Sequence, residues 1–302
     1  MSINKVALIG ATGNIGAPIL KALLDANFEV TILSREGSTS TDSLPSHAGQ
    51  KIVKVNFNDV DSITKALSGT EGVVSNVASH ALLSQKTIID AALNAGVKRF
   101  LPSDFGSDLS AKANAVPFNQ PKIEIHQYLE EKAKSHPEFT YTFVTNGPFF
   151  DWCLKMGLFG DFKKHEMTLW DGGETKFSTT TLASVGKTVV GVFKNLKATK
   201  NRDIRVADTT VSLNDIIAIA KDIDGKEWTT KPASTNEAYE AGLAEMKKPE
   251  PNMMMAVMNQ LYKIIFNAEH GPDYSDKLDN EKVGLSVMTD QQVKEVVKSC
   301  MA

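Results

Sequence analysis

Gly10-Ala11-Thr12-Gly13-Asn14-Ile15-Gly16 stands between an apolar run, Lys5 to Ile9, and a stretch of helical period, Pro18 to Leu24. A chain in that order must turn sharply from strand to helix. Glycine serves the turn, the close approach of backbone to a pyrophosphate and the tight packing of helix on sheet, because it carries no Cβ. The first-turn N–H groups of the helix then face the phosphates. A three-glycine pattern alone is a weak match, but the strand before it, the helix after it and a second strand at Glu29 to Leu33 supply the context. The alternative is a tight strand-to-helix turn with no ligand.

A dinucleotide fold that binds NAD usually ends its second strand on an acidic residue, which meets the ribose 2′-hydroxyl. Here the strand ends Leu33-Ser34-Arg35. The Arg35 guanidinium, with the Ser34 and Ser38 hydroxyls, suits a 2′-phosphate, so NADP is expected over NAD. The alternative makes Arg35 a solvated cation and Glu36 the ribose ligand.

The remainder of residues 1–150 alternates short apolar strands, at 5–9, 29–33, 52–55, 72–77, 98–102 and 140–145, with helices at about 14–26, 60–68, 81–95 and 119–134. That rhythm predicts an α/β fold, a Rossmann-type doubly wound parallel sheet. Its ligands should gather at the strand C-terminal ends, where Gly10, Ser34, Ala78, Ser103 and Asn146 fall. After Pro148 the rhythm changes, and Asp171-Gly172-Gly173 reads as a hairpin turn before Lys176 to Thr180. A helix at 182–195, a strand at 203–206 and a helix at 212–224 return to the first pattern. The expected division is a dinucleotide-binding domain over 1–150, completed by 182–224. A smaller, discontinuous C-terminal substrate lobe takes 151–181 and 225–302.

With 42% apolar residues and a net charge of −3, the chain can bury a full core. It shows no basic stripe for nucleic acid, no stretch long enough to span a membrane and no targeting segment, so the expected location is cytoplasmic. Cys153 and Cys300 have no metal-type spacing; no metal is expected, and Cys153 reads as a small buried hydrophobe. The expected assembly is a monomer or homodimer.

Short-chain reductases on such a fold usually carry Tyr-x-x-x-Lys, and Tyr128 to Lys132 matches it literally. The match lies late in its helix, which carries Lys132 away from the strand C-terminal ends. Lys122, about 15 Å nearer along the helix axis, is the better placed lysine, and Phe118 occupies the tyrosine position. A desolvated lysine can exchange a proton with a phenol; otherwise Lys122 makes a surface ion pair.

A lysine without the tyrosine, together with the glycine turn, Arg35, Val97 to Gly106 with its Pro102-Ser103-Asp104-Phe105-Gly106 block, and Val144 to Phe150, resembles the isoflavone reductase-like, NmrA-like family of atypical short-chain dehydrogenases, its fungal members above all. The resemblance implies an NADPH-dependent reductase that transfers hydride to an aromatic or polyketide-like small molecule, at a conjugated carbonyl, alkene or quinone-methide carbon. Lys122 would be the general acid/base and would also touch the cofactor. Cofactor contacts are expected from Gly10, Ala11, Thr12, Gly13, Asn14, Ile15 and Gly16, from Ser34, Arg35, Ala78 and Ser103, and from Asn146, Pro148 and Phe149. Substrate contacts are expected from Asp104, Phe105, His126, Phe149, Phe150 and Met254. His126 stands where the plant enzymes carry another basic residue, and their second phosphate-binding lysine has no counterpart in the loop after Arg35. The resemblance also admits a non-catalytic NADP-sensing regulatory protein.

Overall fold

The structure, a computed structural model, describes residues 3–109 and 116–301. Its centre is a sheet of seven parallel strands: β1 (Lys5–Ile9), β2 (Glu29–Arg35), β3 (Gln50–Val55), β4 (Gly72–Ser75), β5 (Arg99–Leu101), β6 (Thr140–Thr145) and β9 (Arg202–Arg205), in the order β3-β2-β1-β4-β5-β6-β9. Strand β1 shows why the sheet is central. Val6 and Leu8 pack into one core while Ala7 and Ile9 pack into another, so both faces are covered and the strand reads as an unbroken apolar run. The order reverses at β1 and β4, and the crevice outside their C-terminal ends is where such sheets hold ligands.

Helices α1 (Gly16–Asp25) and α6 (Leu182–Lys194) cover one face. They approach closely because α6 has a glycine at the crossing: a Cβ on Gly186 would stand 2.7 Å from the Pro18 carbonyl oxygen. The other face is covered by α2 (Val60–Ala66), α3 (Gln85–Asn94) and α4 (Gln120–Ser135). Arg99 is buried inside the sheet. Its guanidinium donates to the hydroxyls of Thr140, Thr142 and Thr199 and to the Leu196 carbonyl, each at 2.8 Å.

A second lobe has its own core of Phe150, Phe159, Phe177, Phe266 and their neighbours. It is built from α5 (Phe150–Lys155), β7 (Glu166–Trp170), β8 (Phe177–Thr179), β10 (Thr209–Val211), α7 (Leu213–Asp224), β11 (Thr229–Ala233), α8 (Thr235–Met246), α9 (Met253–Phe266) and α10 (Asp290–Cys300). Cys153 is buried in this core, and burial pushes its thiol up to about 12.

Two expectations change here. The turn at Asp171–Gly173 forms, with all three residues at positive φ, but it closes no hairpin. Strand β7 takes β11 as a parallel partner, and β8 takes β10 antiparallel. Helix α7, expected with the first domain, instead turns Leu213, Ile216 and Ala220 into the second core. Conversely, the segment from Asp279 to Leu285 returns to the first. Asp279 accepts from Arg202, Asn280 exchanges hydrogen bonds with the Ala207 backbone, and Val283 and Leu285 enter the first core. Gly191 of α6 admits that segment, since a Cβ there would stand 2.2 Å from the Val283 carbonyl oxygen.

Candidate active site

The loop from β1 to α1 is closed to any residue but glycine at two points. Gly10 has φ +74°, and a Cβ on it would lie 2.1 Å from the Asn76 carbonyl oxygen. On Gly16 a Cβ would lie 2.0 Å from the carbonyl oxygen of Gly10. The turn is pinned by Gly13 N–H donating to Gly10 O at 3.1 Å and Ala17 N–H donating to Gly13 O at 3.0 Å. Thr12, Gly13 and Asn14 are exposed, and no side chain caps α1 at Ile15. The positive end of α1 therefore opens onto a cleft of about 1060 Å³, a place suited to phosphate.

All of Gly10 to Gly16 line this cleft, as do Ser34, Arg35, Ala78 and Ser103. Sequence reasoning missed Asn76, which follows β4 at the switch point. It also lines the cleft, and both polar atoms of its side chain are buried without a partner among the described residues. Its place one residue past a strand C-terminus was the available signal. A polar ligand in the cleft would complete it, since buried amides are ordinarily hydrogen-bonded.

Ser103 forms the floor, its hydroxyl donating to Val77 O at 2.9 Å. The next residue, Asp104, is buried. Its carbonyl accepts from Lys122 Nζ at 2.9 Å. Burial pulls the Lys122 ammonium below its ordinary range, and the Asp104 charge opposes that fall. The Asp104 carboxylate turns the other way, with Oδ2 2.7 Å from His126 Nε2 and Oδ1 buried without a partner among the described residues. The His126 ring stacks on Phe143 at 3.4 Å between centroids. It faces a separate cavity of about 340 Å³, shared with Tyr141, Thr145 and Asp203. Burial raises Asp203 to about 7, against the pull of Arg205 and with a push from Asp104.

Other predicted site residues lie elsewhere. Phe105 is in the first core and Phe150, with no exposed surface, is in the second; each continues the apolar side of its core, and neither lines a described cavity. Met254 is 74% exposed at the start of α9 and lines none of the described cavities. Asn146, Pro148 and Phe149 knit β6 to the second lobe. The Asn146 and Pro148 carbonyls accept from the Thr180 and Thr179 hydroxyls, each at 2.7 Å, and Phe149 bridges to Thr180. None of the three lines the cleft. The literal motif is committed on a helix surface: the Tyr128 hydroxyl donates to Asp90 at 2.8 Å, and Lys132 Nζ lies 2.7 Å from the same carboxylate.

Among the described residues no cluster of His, Cys, Asp or Glu could hold a metal, and no helix is long and apolar enough to cross a membrane. The NmrA-like family model matches residues 2–295. Oxidoreductase aprR of Aspergillus flavus is 32% identical to the chain, covering 98% of each. Oxidoreductase poxI of Penicillium oxalicum is 33% identical, covering 77% of the chain and 74% of the relative. In fold, the chain is similar to AtPrR2 solved with NADP+ and (+)pinoresinol, with a TM-score of 0.80 at 21% identity and 99% of each chain covered.

Proposed function

The chain belongs to the NmrA-like family, and from that membership we propose that it is an NADPH-dependent reductase of the isoflavone reductase type, acting on an aromatic or polyketide-like small molecule. The reading is supported by the named activities of its fungal relatives and by a cleft whose parts fit the cofactor. Gly10 and Gly16 leave room that any Cβ would fill, the uncapped start of α1 suits the pyrophosphate, and Asn76 has a donor and an acceptor free. Arg35, at the far end of β2, suits the 2′-phosphate. NADPH bound there would supply hydride to a conjugated carbonyl, alkene or quinone-methide carbon.

The chain's own part in the chemistry is to manage a proton. Lys122 Nζ is held by the Asp104 carbonyl, one residue past the floor of the cleft, and its burial favours the neutral amine. In that form it takes a proton from a substrate phenol, and as the ammonium it returns one. The single observation that carries the reading is this neighbourhood: a desolvated lysine bonded to the backbone one residue past Ser103, which lines the cleft that the Gly10 to Gly16 turn opens onto. His126, which lines the other cavity, and the Asp104 carboxylate bonded to it hold that backbone in place.

The test joins binding to turnover. Purified protein should shift NADPH fluorescence and oxidise NADPH with some member of a panel of aromatic enones, phenolic ethers and quinones. Lys122→Ala should lower turnover roughly 100-fold, the scale for losing a positioned acid–base group, with NADPH affinity retained within a few-fold. Turnover should also rise with pH through a pKa below that of an ordinary lysine, because the neutral amine is the base. A protein that binds NADPH and oxidises it with nothing in the panel would be a sensor, and an unaffected Lys122→Ala would remove the lysine from the chemistry.

A further inference from the structure

The loop after β2, from Glu36 to Gly49, contains no lysine or arginine. A cation reaches it from the neighbouring strand. In the parallel register of β2 and β3, Lys54 is the partner of Ser34. Its ammonium donates to Ser34 Oγ at 3.4 Å, to Thr41 Oγ1 at 3.3 Å and to the Ser38 carbonyl. All three partners line the large cleft, at the end marked by Arg35. Neither Lys54 nor Arg35 pairs with a carboxylate among the described residues.

Two cations without counter-charges, set among hydroxyls, form a site for a compact anion. We propose that Lys54 is the second cation for the nucleotide 2′-phosphate, acting with Arg35, and so sets the preference for NADPH over NADH. The proposal rests on the reading of the cleft as a dinucleotide site. The two residues divide the work by their chemistry. Arg35 offers a planar fork of donors, and Lys54 a point charge whose rotatable donors can be redirected. Its bonds to Ser34 and Thr41 are long and therefore weak, so exchanging one for a charged phosphate oxygen is favourable. The Ser34, Ser38 and Thr41 oxygens keep the ammonium aimed at the loop before the ligand arrives, which lowers the ordering cost of binding.

The competing role for Lys54 is a pin that shapes the loop and so supports every nucleotide equally. Isothermal titration of NADPH, NADH and 2′-AMP against wild type, Lys54→Gln, Lys54→Arg and Arg35→Gln separates the two. Lys54→Gln should weaken NADPH and 2′-AMP about 10-fold or more, the scale of a charge-assisted contact, and leave NADH within two-fold. It should also flatten the salt dependence of NADPH binding. Lys54→Arg should restore most of the preference. An equal fall for NADPH and NADH, or NADPH affinity unchanged while Arg35→Gln still matters, would overturn the assignment of Lys54. Wild-type protein that binds neither dinucleotide, or both equally, would overturn the cofactor reading itself, and the assignment with it.

Discussion

Replacing Arg99 by methionine should cost the fold about 3 kcal/mol. The four acceptors around its guanidinium have little else to do. Thr140 donates its hydroxyl proton to Lys98 O, Thr142 to Thr199 O and Thr199 to Asn195 O, so each hydroxyl can only accept from Arg99. Hydrogen bonds from a charged donor contribute about 1.5–3 kcal/mol each, and four at the low end sum to about 6. Against this stands desolvation. Burial pulls the guanidinium down to about 10, an offset of roughly 3 kcal/mol that the substitution returns. Methionine fills most of the vacated volume, so the cavity contribution is small. The net loss should appear in urea unfolding as a lower midpoint with an unchanged slope, and as a fall in Tm of roughly 5–10 °C. Arg99→Lys, which keeps the charge and loses the fork, should fall between the two. A methionine variant as stable as wild type would refute the reasoning, because it would mean that desolvation outweighs the four bonds, as it does for many buried ion pairs.

Gly10→Ala should destabilise by about 2–4 kcal/mol and abolish NADPH binding, since both the positive φ and the 2.1 Å approach to Asn76 O forbid a Cβ; melting curves and fluorescence titration read the two effects. For Asp203, whose carboxyl burial raises to about 7, the folded protein prefers the protonated form. Its stabilisation is present in acid and is lost as pH rises from the ordinary carboxylate range to about 7. Asp203→Asn should flatten that decline and raise stability at pH 8 by about 1–3 kcal/mol, measured as denaturation midpoints across pH 4–8. Tyr128→Phe should leave turnover within two-fold and stability within about 1 kcal/mol, because Asp90 keeps Lys132; loss of activity there would make the protein a tyrosine-dependent reductase.

The half of the fold that writes its structure locally is the half that sequence patterning predicts well. Strand β1 is buried on both faces, so its apolar run has no other reading, and the glycine turn announces its own geometry. Pairing is different. Asp171–Gly173 has every local mark of a hairpin turn, yet the partner of β7 lies some sixty residues on at Thr229–Ala233, and no turn chemistry encodes that choice. Helix α7 is amphipathic whichever core it serves, so its period could not say which. At the site, the glycine turn, Ser34, Arg35, Ala78 and Ser103 were legible from their places at strand ends, and all of them line the cleft. Lys54 was not, because its meaning comes from the β2–β3 register and not from its neighbours in sequence. Phe105 and Phe150, expected at the substrate, lie in the two cores and Met254 lies in solvent: an aromatic or methionine near a site motif has the same composition whether it faces a cavity, a core or solvent.

The return of Asp279 to Leu285 into the first core sets an order on how this protein can be made. Strands β1 to β9 and the helices that cover them leave the ribosome long before Val283 and Leu285 do, and domains generally begin to fold as they emerge. Until the late segment arrives, the groove beside Gly191 is an open apolar seam on the nucleotide-binding half, and the Arg202 guanidinium and Ala207 backbone lack their Asp279 and Asn280 partners. Much of the second lobe, from β10 to α9, lies between these two events in the chain. The nascent nucleotide-binding half is therefore unfinished until Asp279 to Leu285 emerge, and it is that segment that seals it.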